Sequence, residues 1–189
     1  MLDIALQFLK DELNSYIIAK TGSNSFEVKL TKIVDEAGKY AFPDDTIGVT
    51  LINIEEERVM KEHLPKHTLV NGQHVVLEPE LRLNLHIMVA LNFQQYDQAL
   101  KYLSYVMTFF QAHSVFAPDH YPALDSRIVK LIAEIQSLSY EQLNQIWASL
   151  GAKQLPCMIY KVRMVILQDT EPDTVQPPIT TIDTTLQSK

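Results

Sequence analysis

Three consecutive carboxylates, Glu55, Glu56 and Glu57, run into Arg58, Lys61 and two histidines, His63 and His67. This is the densest group of chemically capable side chains in the sequence. Paired histidines near acidic residues suggest a metal site or acid–base work. The geometry argues against the metal. In "HLPKH" the two histidines are four apart, but Pro65 between them opposes the regular helix that would align them. No cysteine or acidic ligand follows at a companion spacing. No zinc site is expected.

Catalysis fares no better. His86 has polar neighbours along its strand and reads as a solvent-facing or interface residue; a general base needs a positioned partner, and the sequence shows none. There is no Gly-x-Ser-x-Gly turn and no His-Glu-x-x-His. The five glycines, Gly22, Gly38, Gly48, Gly72 and Gly151, are too scattered to cradle a phosphate. We therefore expect no enzyme activity, cofactor or metal. The charge run keeps two readings. It is a solvated strand end, or it pairs with basic groups on a neighbouring protein, where charge supplies specificity more than affinity.

Composition sets the wider bounds. The chain has 189 residues, 47% of them apolar, enough to fill one core with an appendage left over. A formal charge of -7 makes it a poor binder of phosphate backbones, so no nucleic acid partner is expected. No stretch approaches the roughly 18 apolar residues of a membrane span, and the amino terminus lacks the basic leader of a signal peptide. The sole cysteine, Cys157, permits no internal disulfide and reads as a small buried apolar residue in a chain made in the cytosol.

Periodicity places the elements. Leu2, Leu6, Leu9, Leu13 and Ile17 stripe a helix over 2–20 that Gly22 should stop. "FEVKLTKIV" alternates as a half-buried strand with Phe26, Val28 and Leu30 on one face. "TIGVTLINIEEERV" is a second strand, with Ile47, Val49, Leu51 and Asn53 on one face and Ile52 and Ile54 on the other. Residues 60–80 read as an excursion from the sheet, turning at Asn71-Gly72 before "HVVL". A long strand follows, with Leu81, Leu83, Leu85, Ile87, Val89, Leu91 and Phe93 at every second position. It feeds a helix over about 96–113 striped by Leu100, Leu103, Met107 and Phe110. "RIVKLIAEIQSLS" fits helix or strand; strand is favoured because Ser139 and Gln142 then open their own helix with a capping box. Leu143, Ile146, Trp147 and Leu150 make that helix's buried stripe, and Gly151 ends it. "LPCMIYKVRMVILQD" is apolar on nearly both faces, as a central strand should be. From 169 onward the chain is rich in Thr and Pro and has no period. It is a disordered end or an arm that orders against a partner. The expectation is one α+β domain over 1–168, a mainly antiparallel or mixed sheet with helices packed on it, and an extended arm over 169–189.

Five stretches taken together carry a resemblance: "LINIEEERV", "NGQHVVLEPELRLNLH", "NFQQYDQALKYLSYVMTFFQAH", "LSYEQLNQIWASLGAKQLPCMIYKVRMV" and "DTEPDTVQPPITTID". Over about residues 1–185 the chain resembles the cap, or tube-terminator, proteins of contractile injection systems, phage-tail-like particles of the antifeeding-prophage and virulence-cassette type. The resemblance implies a fold like that of phage tail terminators and no catalysis. It also implies a six-fold (C6) homo-oligomeric ring that stops the inner tube and ties it to the sheath. Its partners would be further copies, tube protein and sheath protein, with no nucleic acid and no membrane. Such a protein is made and assembled in the bacterial cytoplasm and leaves in a released extracellular particle.

On this reading the strand from 79 to 93, roughly 50 Å at ~3.4 Å per residue, carries core at one end and projects at the other. Two segments are candidate interfaces. The first is 55–80, through Glu55, Glu56, Glu57, Arg58, Lys61, His63, His67, Asn71 and Gln73. The second is the arm, through Pro177, Pro178 and Ile179. The alternative is a non-catalytic assembly chaperone or adaptor that binds a particle component transiently.

Overall fold

The computed structural model describes residues 1–57, 66–70, 73–77, 81–166 and 175–176. Among the described residues the order is three helices and nine strands: α1 (Leu2–Thr21), β1 (Glu27–Leu30), β2 (Thr46–Glu56), β3 (Lys66–Val70), β4 (Gln73–Leu77), β5 (Leu81–Asn92), α2 (Tyr96–Ala112), β6 (Val115–Phe116), β7 (Ile128–Ile135), α3 (Tyr140–Leu150), β8 (Cys157–Ile166) and β9 (Val175–Gln176).

Six strands form the main sheet in the order β1-β2-β5-β8-β7-β6. β1 runs parallel to β2, and the other pairs are antiparallel. The expected mixed sheet is found, and β8 is central as its two apolar faces require. The ambiguous segment at 128–135 is a strand. Its one irregularity is a register shift between Ile128 and Lys130, which lets Ile128, Leu131 and Ala133 all reach the same core.

Helices cover both faces. On the first, α1 and α2 bury Leu9, Leu13, Ile17, Val106 and Phe109 against Leu85, Ile87, Val89 and Val162. Gly22 ends α1 in the left-handed conformation (φ 64°), which costs a residue without Cβ little. On the second, α3 and the loop after β1 enclose a smaller core of Ile33, Phe42, Met88, Ala90, Trp147 and Ile159. The Phe42 ring lies flat over Gly48, where a Cβ would stand 3.1 Å from it. Glycine thus lets this loop close on the sheet. The Ser139 hydroxyl accepts from the Gln142 N–H (3.3 Å), and the Ser139 N–H donates to Gln142 Oε1 (3.0 Å), the capping box read from sequence.

Four expectations are corrected. β1 is only four residues long, because the chain bends after Leu30 to carry Ile33 to the second face; Leu30 is left exposed. In β2 the register skips Ile52, so Asn53 stands opposite His86 and Ile54 opposite Leu85. That bulge swaps the faces assigned by simple alternation. On α2 the buried stripe is Ala99, Tyr102, Val106, Phe109 and Phe110, while Leu100 and Met107 face outward. The helix carries two apolar stripes, and the aromatic one, with more area to bury, takes the core. Finally, β5 does not project. It has 12 residues, and β2 and β8 accompany it along its length.

Candidate partner-binding site

The carboxylates at the end of β2 do not all point into solvent. Glu55 Oε1 accepts from Asn53 Nδ2 (3.1 Å), and its other oxygen lies 3.3 Å from His86 Nε2. Glu57 Oε2 accepts from the buried Asn84 Nδ2 (3.2 Å), while the Glu57 N–H donates to the Arg82 carbonyl (2.9 Å). Glu56, opposite Leu83 in the register, belongs to the other face. The extended backbone thus splits the trio: Glu55 and Glu57 tie β2 to the polar residues of β5, and Glu56 is exposed.

His86 is buried, not solvent-facing, because α3 and β2 enclose that side of β5. Its Nδ1–H donates to Gln136 Oε1 (2.9 Å), at the end of β7. Among the described residues its Nε2 has no aligned hydrogen bond, only the Glu55 contact. The imidazole therefore links β2, β5 and the end of β7, at the floor of a groove of about 430 Å³ walled by Ile146 and Leu150 of α3. Glu134 and Arg163 form an exposed ion pair beside it. These are positioning contacts. Among the described residues no three His, Cys, Asp or Glu side chains are grouped to hold a metal.

Of the remaining interface candidates, Arg58, Lys61, His63, Asn71, Pro177, Pro178 and Ile179 lie outside the described residues. His67 lies in β3 and Gln73 opens β4, and the two strands pair as a hairpin (Lys66↔Leu77 through Val70↔Gln73). The arm returns to this hairpin: β9 pairs with β4 through His74↔Gln176 and Val75↔Val175. A second, three-stranded sheet β3-β4-β9 results. Among the described residues, 66–70 and 73–77 of the first segment and 175–176 of the second thus share one sheet, while Glu55 and Glu56 belong to the main one. The pairing is a two-residue strand in a Pro/Thr-rich tail, too short to carry a periodic signal.

Cys157 is half-buried, and that burial raises the pKa of its thiol. Among the described residues no helix is long and apolar enough to cross a membrane.

The mixed six-stranded sheet with helices on both faces is the fold of the tube-terminator class. Two solved structures share it. One is titled as the sheath/tube terminator of an extracellular contractile injection system in its extended state (TM-score 0.62, 15% identity, 95% of this chain and 63% of that one). The other is the tube-terminating cap of the anti-feeding prophage (TM-score 0.67, 16% identity, 98% of this chain and 61% of that one). This chain thus spans less than two thirds of the length of either. A search of curated proteins gave no match. The Pvc16 N-terminal domain family matches residues 5–181, and the chain belongs to that family.

Proposed function

We propose that this protein is a structural cap subunit that ends the inner tube of a contractile injection particle. Copies form a ring, six-fold by the resemblance, that stops tube growth and anchors the end of the sheath. Assembly takes place in the bacterial cytoplasm and the cap leaves with the extracellular particle. The protein is not an enzyme in this reading, and its polar side chains serve recognition.

One observation carries the reading: the family match over 5–181 coincides with the fold shared with two proteins titled as tube terminators. The second sheet, β3-β4-β9, supplies a surface apart from the core strands for tube or sheath, with His67 and Gln73 on it. The acidic end of β2 supplies another, through Glu55, Glu56 and Glu57.

Light scattering with negative-stain imaging of the purified protein tests this. The expected result is rings with a mass about six times 21.6 kDa, on the protein alone or once purified tube is added. A species that stays monomeric or dimeric and leaves tube ends bare contradicts it and fits a transient adaptor.

A further inference from the structure

The strand registers define a sheet whose two edges are staggered in a complementary way. β1 covers β2 at Thr46–Val49 only. Among the described residues, no strand pairs with the outer side of β2 from Leu51 onward. The described residues thus leave a notch above β1. Following one row across the sheet, Glu55 stands opposite Asn84, Asn84 opposite Arg163, Arg163 opposite Ile132, and Ile132 opposite Val115. The short strand β6 therefore projects from the far edge at the level of the notch. The lower rows mirror this. β7 ends at Ile135, on the row of Tyr160, while β8 continues to Cys157 with no strand beyond it among the described residues.

Four apolar side chains exposed at 38% to 52% mark these edges: Leu30 at the end of β1, Ile54 in the notch, Val115 on β6 and Ile135 at the end of β7. Open edges flanked by exposed apolar residues are templates for strand pairing.

We infer that β6 of one copy docks beside the open half of β2 in the next, joining the sheets of neighbouring subunits. This rests on the ring reading above. A second copy is the occupant because tab and notch lie on the same row of the same molecule. Rotation about an axis along the strands then brings one to the other with no slide. β2 and β6 are separated by an even number of antiparallel steps, so they run the same way and the junction is a short parallel pair. On the face where Glu55 of the neighbour arrives, the exposed Lys130 of β7 lies two residues above its row, and Glu134, two residues below, is paired with Arg163. The contact is heterologous, and such contacts close into a ring when the rotation divides the circle.

Disulfide trapping tests the pairing, using the full chain carrying Cys157→Ser, Ile54→Cys and Ser114→Cys. Ile54 and Ser114 share a row and a face, since the Ser114 carbonyl accepts from Ala133 N–H (2.8 Å) on that row. Within one chain they are four strand spacings apart, roughly 19 Å, too far for a disulfide. A bridge therefore reports a neighbour. Mild oxidation, alone and on purified tube ends, should give a ladder of covalent oligomers ending in a closed ring. Mixing the two single-cysteine variants should stop at dimers. A control pairing Ile54→Cys with Tyr140→Cys should give no ladder. If scattering or imaging shows oligomers that no bridge traps, the pairing is wrong and the ring stands. If the protein is monomeric and leaves tube ends bare, ring and pairing fall together.

Discussion

Tyr160 is a core residue whose chemistry is held back by its surroundings. Its ring packs on Phe110 (centroids 4.2 Å apart), and its hydroxyl is buried with no hydrogen-bond partner among the described residues. Burial pushes its pKa up to about 12. The folded state therefore keeps this proton after an unfolded tyrosine loses it near the ordinary value of 10. Stability from this residue is fully present below pH 10 and falls as pH rises toward 12. Tyr160→Phe removes an unsatisfied hydroxyl without changing the packing. It should raise stability by about 1 kcal/mol and flatten the loss of stability above pH 10; thermal melts from pH 8 to 11.5 check both.

The acidic trio separates at the same scale. Glu57→Lys leaves the buried Asn84 Nδ2 without its acceptor and should cost about 1–3 kcal/mol, whereas Glu57→Gln keeps an acceptor and should stay near wild type. Glu55→Lys is exposed and should leave the subunit folded but block assembly, since it sets like charge against the neighbour's Lys130. Denaturant melts beside light scattering separate the two effects. Normal assembly of Glu55→Lys would place the interface elsewhere.

At the scale of elements, most of the architecture was legible. The α1 stripe, its Gly22 stop, the Ser139 capping box and the doubly apolar β8 are local signals, and each occurs where the sequence put it. What could not be read depended on distant partners. The bulge at Ile52 exists because β5 fixes the register on either side of it, and alternation along β2 has no view of β5. α2 offers two apolar stripes, and only α1 and the sheet select one. His86 reads as exposed because its neighbours along the strand, Arg82, Asn84 and Asn92, are polar; α3, which begins 54 residues later, covers that face. Of the candidate site, the carboxylates are seen in their surroundings, while the meeting of arm and hairpin left no sequence trace. That meeting yields a prediction. Deleting 169–189 removes β9 and leaves the main sheet whole, so the domain should stay folded. The outer side of β4 should lose amide protection in hydrogen exchange, and particles should carry uncapped or over-long tubes. Tubes of normal length would remove the arm from the capping role.

Over the whole molecule, among the described residues, the exposed large apolar side chains fall on the sheet edges, on the outer face of α2 and, as Tyr96 and Tyr140, at the starts of α2 and α3. Leu30, Ile54, Val115 and Ile135 lie along the two edges of one sheet, and Leu100 and Met107 lie on α2. Such a surface suits a subunit covered on several sides by neighbours. It fits the terminator reading better than a free-standing adaptor, which would expose these groups for most of its life. The most direct test is to let purified inner-tube protein polymerise with and without this protein and measure tube lengths by electron microscopy. A cap predicts that tubes become shorter and more uniform as the protein is added, each with a ring at one end. Unchanged lengths with bare ends at saturating protein would contradict the account.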